Sequence, residues 1–140
     1  MNGKTFVDTN ILIYAHDVDA GKKHQIAKTI LQGLSQQRTG ALSTQVLQEF
    51  YVNVTRKIVS PLSKASAREI VEDFAHWCVA TSPAEVREAF HIEDDARIRF
   101  WDALIVAAAV KAGATLVLSE DLNHGQAIAG ITIENPFLAL

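Results

Sequence analysis

Four acidic residues stand where an acid is unexpected. Asp8 follows directly on the apolar run Thr5-Phe6-Val7, and Asp121 comes shortly after Leu118. Glu49 interrupts Val46-Leu47-Gln48-Glu49-Phe50-Tyr51, and Asp102 sits within Phe100-Trp101-Asp102-Ala103-Leu104-Ile105-Val106. If these side chains share a cleft they repel one another. Two ionised carboxylates 4 Å apart cost about 4 kcal/mol at an effective dielectric near 20. A gathered set therefore calls for protons or cations. Mg²⁺ takes one or two carboxylates and keeps several waters, and Mn²⁺ accepts similar oxygen ligands. Zinc fits poorly, because the chain has one cysteine, no His-Glu-x-x-His and no paired histidines at ligand spacing. A cation held by carboxylates suits attack on phosphorus: it polarises the phosphate, lowers the pKa of a bound water and stabilises the departing oxygen. The acids alone imply a metal-dependent phosphodiester or phosphomonoester hydrolase.

Each acid also has a plainer reading. Asp8 can cap a helix beginning at Thr9 or Asn10. Glu49 can be a solvated helix residue, and Asp121 a turn residue before Asn123 and Gly125. Asp102 is hardest to set aside. Its neighbours suggest burial, an unpaired buried carboxylate is costly, and no Lys or Arg lies one turn downstream.

The elements that must position these acids alternate. Strands are expected at Lys4–Val7, Ala41–Ser43, Val79–Thr81, Thr115–Leu118 and Ile131–Glu134. Apolar residues at helical spacing mark Ile11–Tyr14 as the start of a short helix, and helices over Lys22–Gln37, Thr44–Val59 and Ser63–Trp77. Ser66-Ala67-Arg68-Glu69 fits a capping box within the last of these, and Ser82-Pro83-Ala84-Glu85 opens a further helix to about His91. Phe100–Ala112 is apolar nearly all round and reads as a buried helix stopped by Gly113. This alternation implies an α/β fold, a parallel sheet of about five strands with helices on both faces. In such sheets ligands bind beyond the carboxyl ends of the strands, near a switch point. Asp8 and Asp121 both follow strands.

Composition narrows the class. At 140 residues, 49% hydrophobic and 21% charged, the chain reads as one globular domain over residues 1–140. The lone Cys78 forms no internal disulfide, which suits a reducing cytoplasm. No apolar run approaches the roughly 20 residues of a membrane helix, and the start lacks the apolar stretch of a secretory signal. The net charge of −3 argues against coating nucleic acid through bulk positive charge. It leaves room for a polyanionic substrate, because site cations reverse the local sign.

In this order and spacing, Val7-Asp8-Thr9-Asn10-Ile11-Leu12-Ile13, the helical Glu49, Trp101-Asp102-Ala103-Leu104-Ile105-Val106 and Leu118-Ser119-Glu120-Asp121-Leu122 resemble the PIN-domain family. They look most like its VapC-type ribonuclease toxins. The resemblance runs from about Thr5 to Pro136. It implies a carboxylate pocket holding Mg²⁺, with Mn²⁺ able to substitute, and an endoribonuclease that cuts RNA by a metal-activated water. Asp8, Glu49, Asp102 and Asp121 match the family's acidic quartet. Asn10 and Ser119 match the small polar residues that orient the acids or the water. Glu120 competes with Asp121 for the fourth place. The resemblance further implies a homodimer and a small antitoxin protein as partner, as in a type II toxin–antitoxin pair.

Candidate RNA contacts are Arg97 and Arg99, then Arg56 with Lys57, and Lys22 with Lys23. His124 could touch a phosphate or satisfy its own loop. Trp77 and Trp101 read as core or as an interface between copies rather than as a base-stacking surface. The remaining histidines receive no role. Two alternatives stay open: a housekeeping PIN nuclease of RNA processing, and a non-catalytic PIN-like binding module. A receiver-type phosphoacceptor domain would need a central-strand Asp and a late-strand Lys, and neither is expected in place.

Overall fold

A computed structural model describes residues 3–139. Its six strands are β1 (Lys4–Val7), β2 (Gly40–Ser43), β3 (Cys78–Val79), β4 (Ala114–Leu118), β5 (Ala127–Ile128) and β6 (Ile131–Glu134). They form one sheet in the order β3-β2-β1-β4-β6-β5. Every neighbouring pair is parallel except β5 with β6. The fold is therefore α/β with a mostly parallel sheet, as expected, and has one strand more than the five anticipated. The added strand, β5, is two residues long and turns back onto β6 through Ala129 and Gly130, both at positive φ. That is the two-residue hairpin whose backbone twist matches the strands.

Six α-helices connect the strands: α1 (Thr9–His16), α2 (Lys22–Gln37), α3 (Thr44–Arg56), α4 (Lys64–Phe74), α5 (Pro83–Ala96) and α6 (Phe100–Lys111). The expected boundaries need three corrections. Ser63, not Ser66, caps α4: its hydroxyl accepts from Ser66 N at 3.1 Å, so the Ser66–Glu69 pattern lies inside the helix. Helix α5 runs past His91 to Ala96, because Ala89 and Ile92 continue a buried stripe through an otherwise charged stretch. Helix α3 stops at Arg56 rather than Val59, shortly before Pro61. The Ser82 capping box is present, with Glu85 accepting from Ser82 N at 2.8 Å.

The sheet's course creates the switch point. From β1 the chain adds β2 and then β3 on one side, and α5 and α6 then carry it back to β4 on the other side of β1. Phe6 and Val7 of β1, Val117 of β4 and Ile133 of β6 are completely buried. Helix α6 buries every residue from Ala103 to Ala109 and contacts both β2 and β4. That accounts for its apolarity all round. Among the described residues no helix is long and apolar enough to cross a membrane.

Candidate functional site

The cleft is built from the register of β1 against β4. Val7 pairs with Leu118, and Asp8 N donates to Leu118 O at 2.9 Å. The next residue on each strand, Asp8 and Ser119, therefore leaves the sheet beside the other. Ser119, fully buried, donates from Oγ to Asp8 Oδ2 at 2.7 Å. The same Oγ accepts from Asp121 N at 3.1 Å and Leu122 N at 3.4 Å, which folds the segment after β4 back over the strand end. Asp8 Oδ1 accepts from Thr9 N at 2.7 Å, so Asp8 caps α1 and faces the cleft with the same carboxylate.

The other three acids arrive from separate elements. Glu49 lies in α3, Asp102 in the first turn of α6, and Asp121 just after β4. Together with Asp8, Thr9, Gln45, Arg99 and Trp101 they line one cleft of about 220 Å³. Thr9 Oγ1 donates to Glu49 Oε1 at 3.2 Å, tying α1 to α3. Asn10 Nδ2 donates to Asp121 Oδ2 at 3.2 Å, while Asn10 Oδ1 accepts from Glu120 N at 3.2 Å. Asn10 and Ser119 thus both hold acids in place.

The electrostatics register this gathering. Burial pushes the Asp8 carboxyl up from 3.8 to about 6, although its bonds from Ser119 and Thr9 pull the other way. The charges of Asp121 and Glu49 push it up further. Arg99 offsets part of the negative charge: its Nε donates to Asp102 Oδ2 at 3.3 Å, and Asp102 and Asp121 together raise the guanidinium's own pKa. Asp102 is half-buried rather than buried, and its basic partner Arg99 lies one turn upstream rather than downstream.

The donor set is all oxygen and mostly anionic, the chemistry a hard divalent cation accepts. Among the described residues no three His, Cys, Asp or Glu side chains close into a cage. An ion that keeps several waters needs only one or two carboxylates and no such cage. The residues present fit a hydrated divalent ion of this kind. Asp8 and Asp121, with Glu49 and Asp102 facing them, are the side chains that could hold one.

Several candidates lie elsewhere. Glu120 points away from the cleft and accepts from Tyr14 OH at 2.5 Å and from Lys23 Nζ. It therefore does not compete with Asp121, and Lys23 is engaged by it. His124 Nδ1 accepts from Asn135 N at 3.0 Å, the loop role, and stands outside the cleft lining. Arg56 and Arg97 are exposed and also outside that lining. Arg97 is the left-handed residue that ends α5, at φ 55°. His16 and His24 bond to the carbonyls of Leu12 and Tyr14. Trp77 is core, 8% exposed, whereas Trp101 is 63% exposed at the rim of the cleft.

Gln45 and Thr9 escaped the sequence reading. Gln45 stands one turn before Glu49 on α3, a spacing that places both on one side of the helix. Its Nε2 donates to Trp101 O at 3.3 Å, and its Oε1 is buried in the cleft wall without a donor. A buried unsatisfied acceptor costs about 1–3 kcal/mol.

Comparison with known proteins places this architecture. The chain matches no curated protein. Its structure is similar to a toxin–antitoxin complex from Klebsiella pneumoniae, with a TM-score of 0.69 and 19% identity over 96% of this chain and 98% of that one. It is also similar to the DNA-bound VapBC of Salmonella typhimurium, with a TM-score of 0.66 and 19% identity over 96% and 98%. A third similar structure is a sarcin-ricin-loop-cleaving toxin of Mycobacterium tuberculosis, with a TM-score of 0.58 and 17% identity over 81% and 87%. At these identities the likeness is one of fold. The PIN domain family matches residues 5–128, from the strand that delivers Asp8 to the hairpin beyond Asp121, and the chain belongs to that family.

Proposed function

We propose that this chain is a divalent-metal-dependent endoribonuclease and the toxin of a type II toxin–antitoxin pair. The observation that carries the reading is the convergence of Asp8, Glu49, Asp102 and Asp121, from four separate segments, on one cleft at the carboxyl ends of β1 and β4. A stable fold does not need four acids there, and their mutual repulsion opposes it. A hydrated divalent cation offsets that repulsion and suits phosphoryl chemistry. Mg²⁺, or Mn²⁺ in its place, would supply the positive charge that polarises a phosphate and lowers the pKa of a bound water.

The chain's own side chains have distinct tasks in this reading. Ser119 and Thr9 N fix the two oxygens of Asp8, and Asn10 fixes Asp121. Thr9 steadies Glu49. Arg99, on the rim, is positioned to take a phosphate of the substrate in a two-pronged grip. A carboxylate of the set can accept the proton of the attacking water. The similar structures that are toxin–antitoxin complexes favour the toxin role over housekeeping RNA processing and favour a small antitoxin protein as partner. A homodimer in the cytoplasm is part of the same proposal.

Sequencing RNA 5′ ends after induction tests it. Wild type should produce new, discrete 5′ ends that an Asp8→Asn or Asp102→Asn control lacks. Identical 5′ ends in wild type and both controls would remove the assignment.

A further inference from the structure

We propose that Trp101 forms a stacking subsite for one unpaired base of a single-stranded nucleic acid lying in the carboxylate cleft, with Arg99 taking the adjoining phosphate. This rests on the nuclease reading and deepens it by assigning a residue that holds the substrate's base. Trp101 is adjacent to Asp102 in the chain, and its ring stands 63% exposed at the same cleft. The exposed ring stands beside the carboxylates, and every base presents a face on which such a ring can stack.

The ring is also held ready. Phe100 meets it edge-on with centroids 5.2 Å apart, and Phe90 backs Phe100 at 5.7 Å. Gln45 fixes the Trp101 backbone through the carbonyl at 3.3 Å and keeps a buried oxygen without a donor in the same wall. Arg99, two residues before Trp101, has a side chain 77% exposed and anchored to Asp102 only through Nε. The rest of its guanidinium fork is free for phosphate. Ring and cation therefore line the same cleft as Asp102. An unpaired nucleotide offers a matching face and anion, whereas a base held within a duplex presents no face to stack on.

The test combines binding and turnover. With Ca²⁺ as the divalent ion, an eight-nucleotide oligoadenylate RNA is titrated into wild type and Trp101→Phe, and the difference in tryptophan emission isolates Trp101. The single strand should quench that emission, while its duplex and an abasic strand of equal length should not. Trp101→Ala should bind the single strand about ten-fold more weakly or worse, and Trp101→Phe should recover most of the loss. In cleavage assays the effect of Trp101→Ala should fall on KM more than on kcat. Equal binding of abasic and base-bearing strands, or an unchanged KM in Trp101→Ala, overturns the subsite. So does loss of a homodimer in sedimentation with KM unchanged, which would assign the ring to a contact between copies. Wild type that stacks the single strand but cleaves no RNA overturns the nuclease reading and leaves the subsite standing.

Discussion

Arg99 and Asp102 form an ion pair inside the acidic cleft, Nε to Oδ2 at 3.3 Å, one helical turn apart. The guanidinium occupies the negative field that a divalent ion would also seek. The pair is exposed on the arginine side, so solvent screens it and its own contribution to stability is small. Arg99→Gln should leave the melting temperature nearly unchanged. It should tighten Mn²⁺ binding by calorimetry by up to about five-fold and yet slow RNA cleavage, because the phosphate contact is lost. Weaker Mn²⁺ binding in this variant would contradict the competition.

The raised carboxyl of Asp8 makes stability depend on pH in the metal-free protein. An acid whose folded pKa lies above its unfolded value holds its proton more tightly when folded. That contribution is complete below about 3.8 and is lost as pH rises through about 6. Asp8→Asn removes the charge and should stabilise the metal-free protein at pH 8 by about 1–3 kcal/mol. The gain should vanish near pH 4. Urea denaturation at both pH values, in EDTA, reads the difference.

Glu120 anchors the segment that carries Ser119 and Asp121. Burial works against its ionisation, but Lys23 and Tyr14 outweigh burial and lower its pKa. Tyr14 in turn packs edge-on against Phe137 at 5.3 Å. Tyr14→Phe keeps that packing and removes one hydrogen bond, which should cost about 1 kcal/mol. Hydrogen exchange should accelerate at the amides of Glu120 and Asp121 while the β1 and β4 amides keep their protection.

Gly40 opens β2 under the ring of Trp77. A Cβ there would lie 2.4 Å from Trp77 Cζ3. Gly40→Ala should therefore destabilise by about 1–3 kcal/mol through forced displacement of the ring, measurable by chemical denaturation. An alanine accommodated at no cost would mean that β3 shifts freely at the sheet edge.

The sheet and most helices were legible because periodicity and capping are local. Ser82-Pro83 with Glu85, and the all-round apolarity of α6, each forecast an element that is present. The hairpin strand β5 was not legible: two residues carry no alternation, and Ala129-Gly130 is a weaker turn signal than Asn-Gly. Ser66 misled because two serines three apart both suit a cap, and only Ser63 lies at the helix start. The clustering of Asp8 with Asp121 followed from both standing at strand ends. Whether Glu120 or Asp121 faced the cleft did not, because adjacent residues of a bend diverge and the chain alone does not say which way. Of the two readings of Trp101, core or an interface between copies, its exposure removes the first: apolar neighbours suggest burial, and only the helix's placement exposes its first turn.

The order in which the sheet fills has a temporal corollary. Strand β4 is flanked by β1, near the start of the chain, and by β6, near its end. A nascent polypeptide still threaded through the ribosomal tunnel thus lacks the partner that seats Ser119 and Asp121. The cleft is therefore complete only after residues 131–134 have emerged and paired with β4, where Glu134 O receives the Ser119 N–H at 3.0 Å.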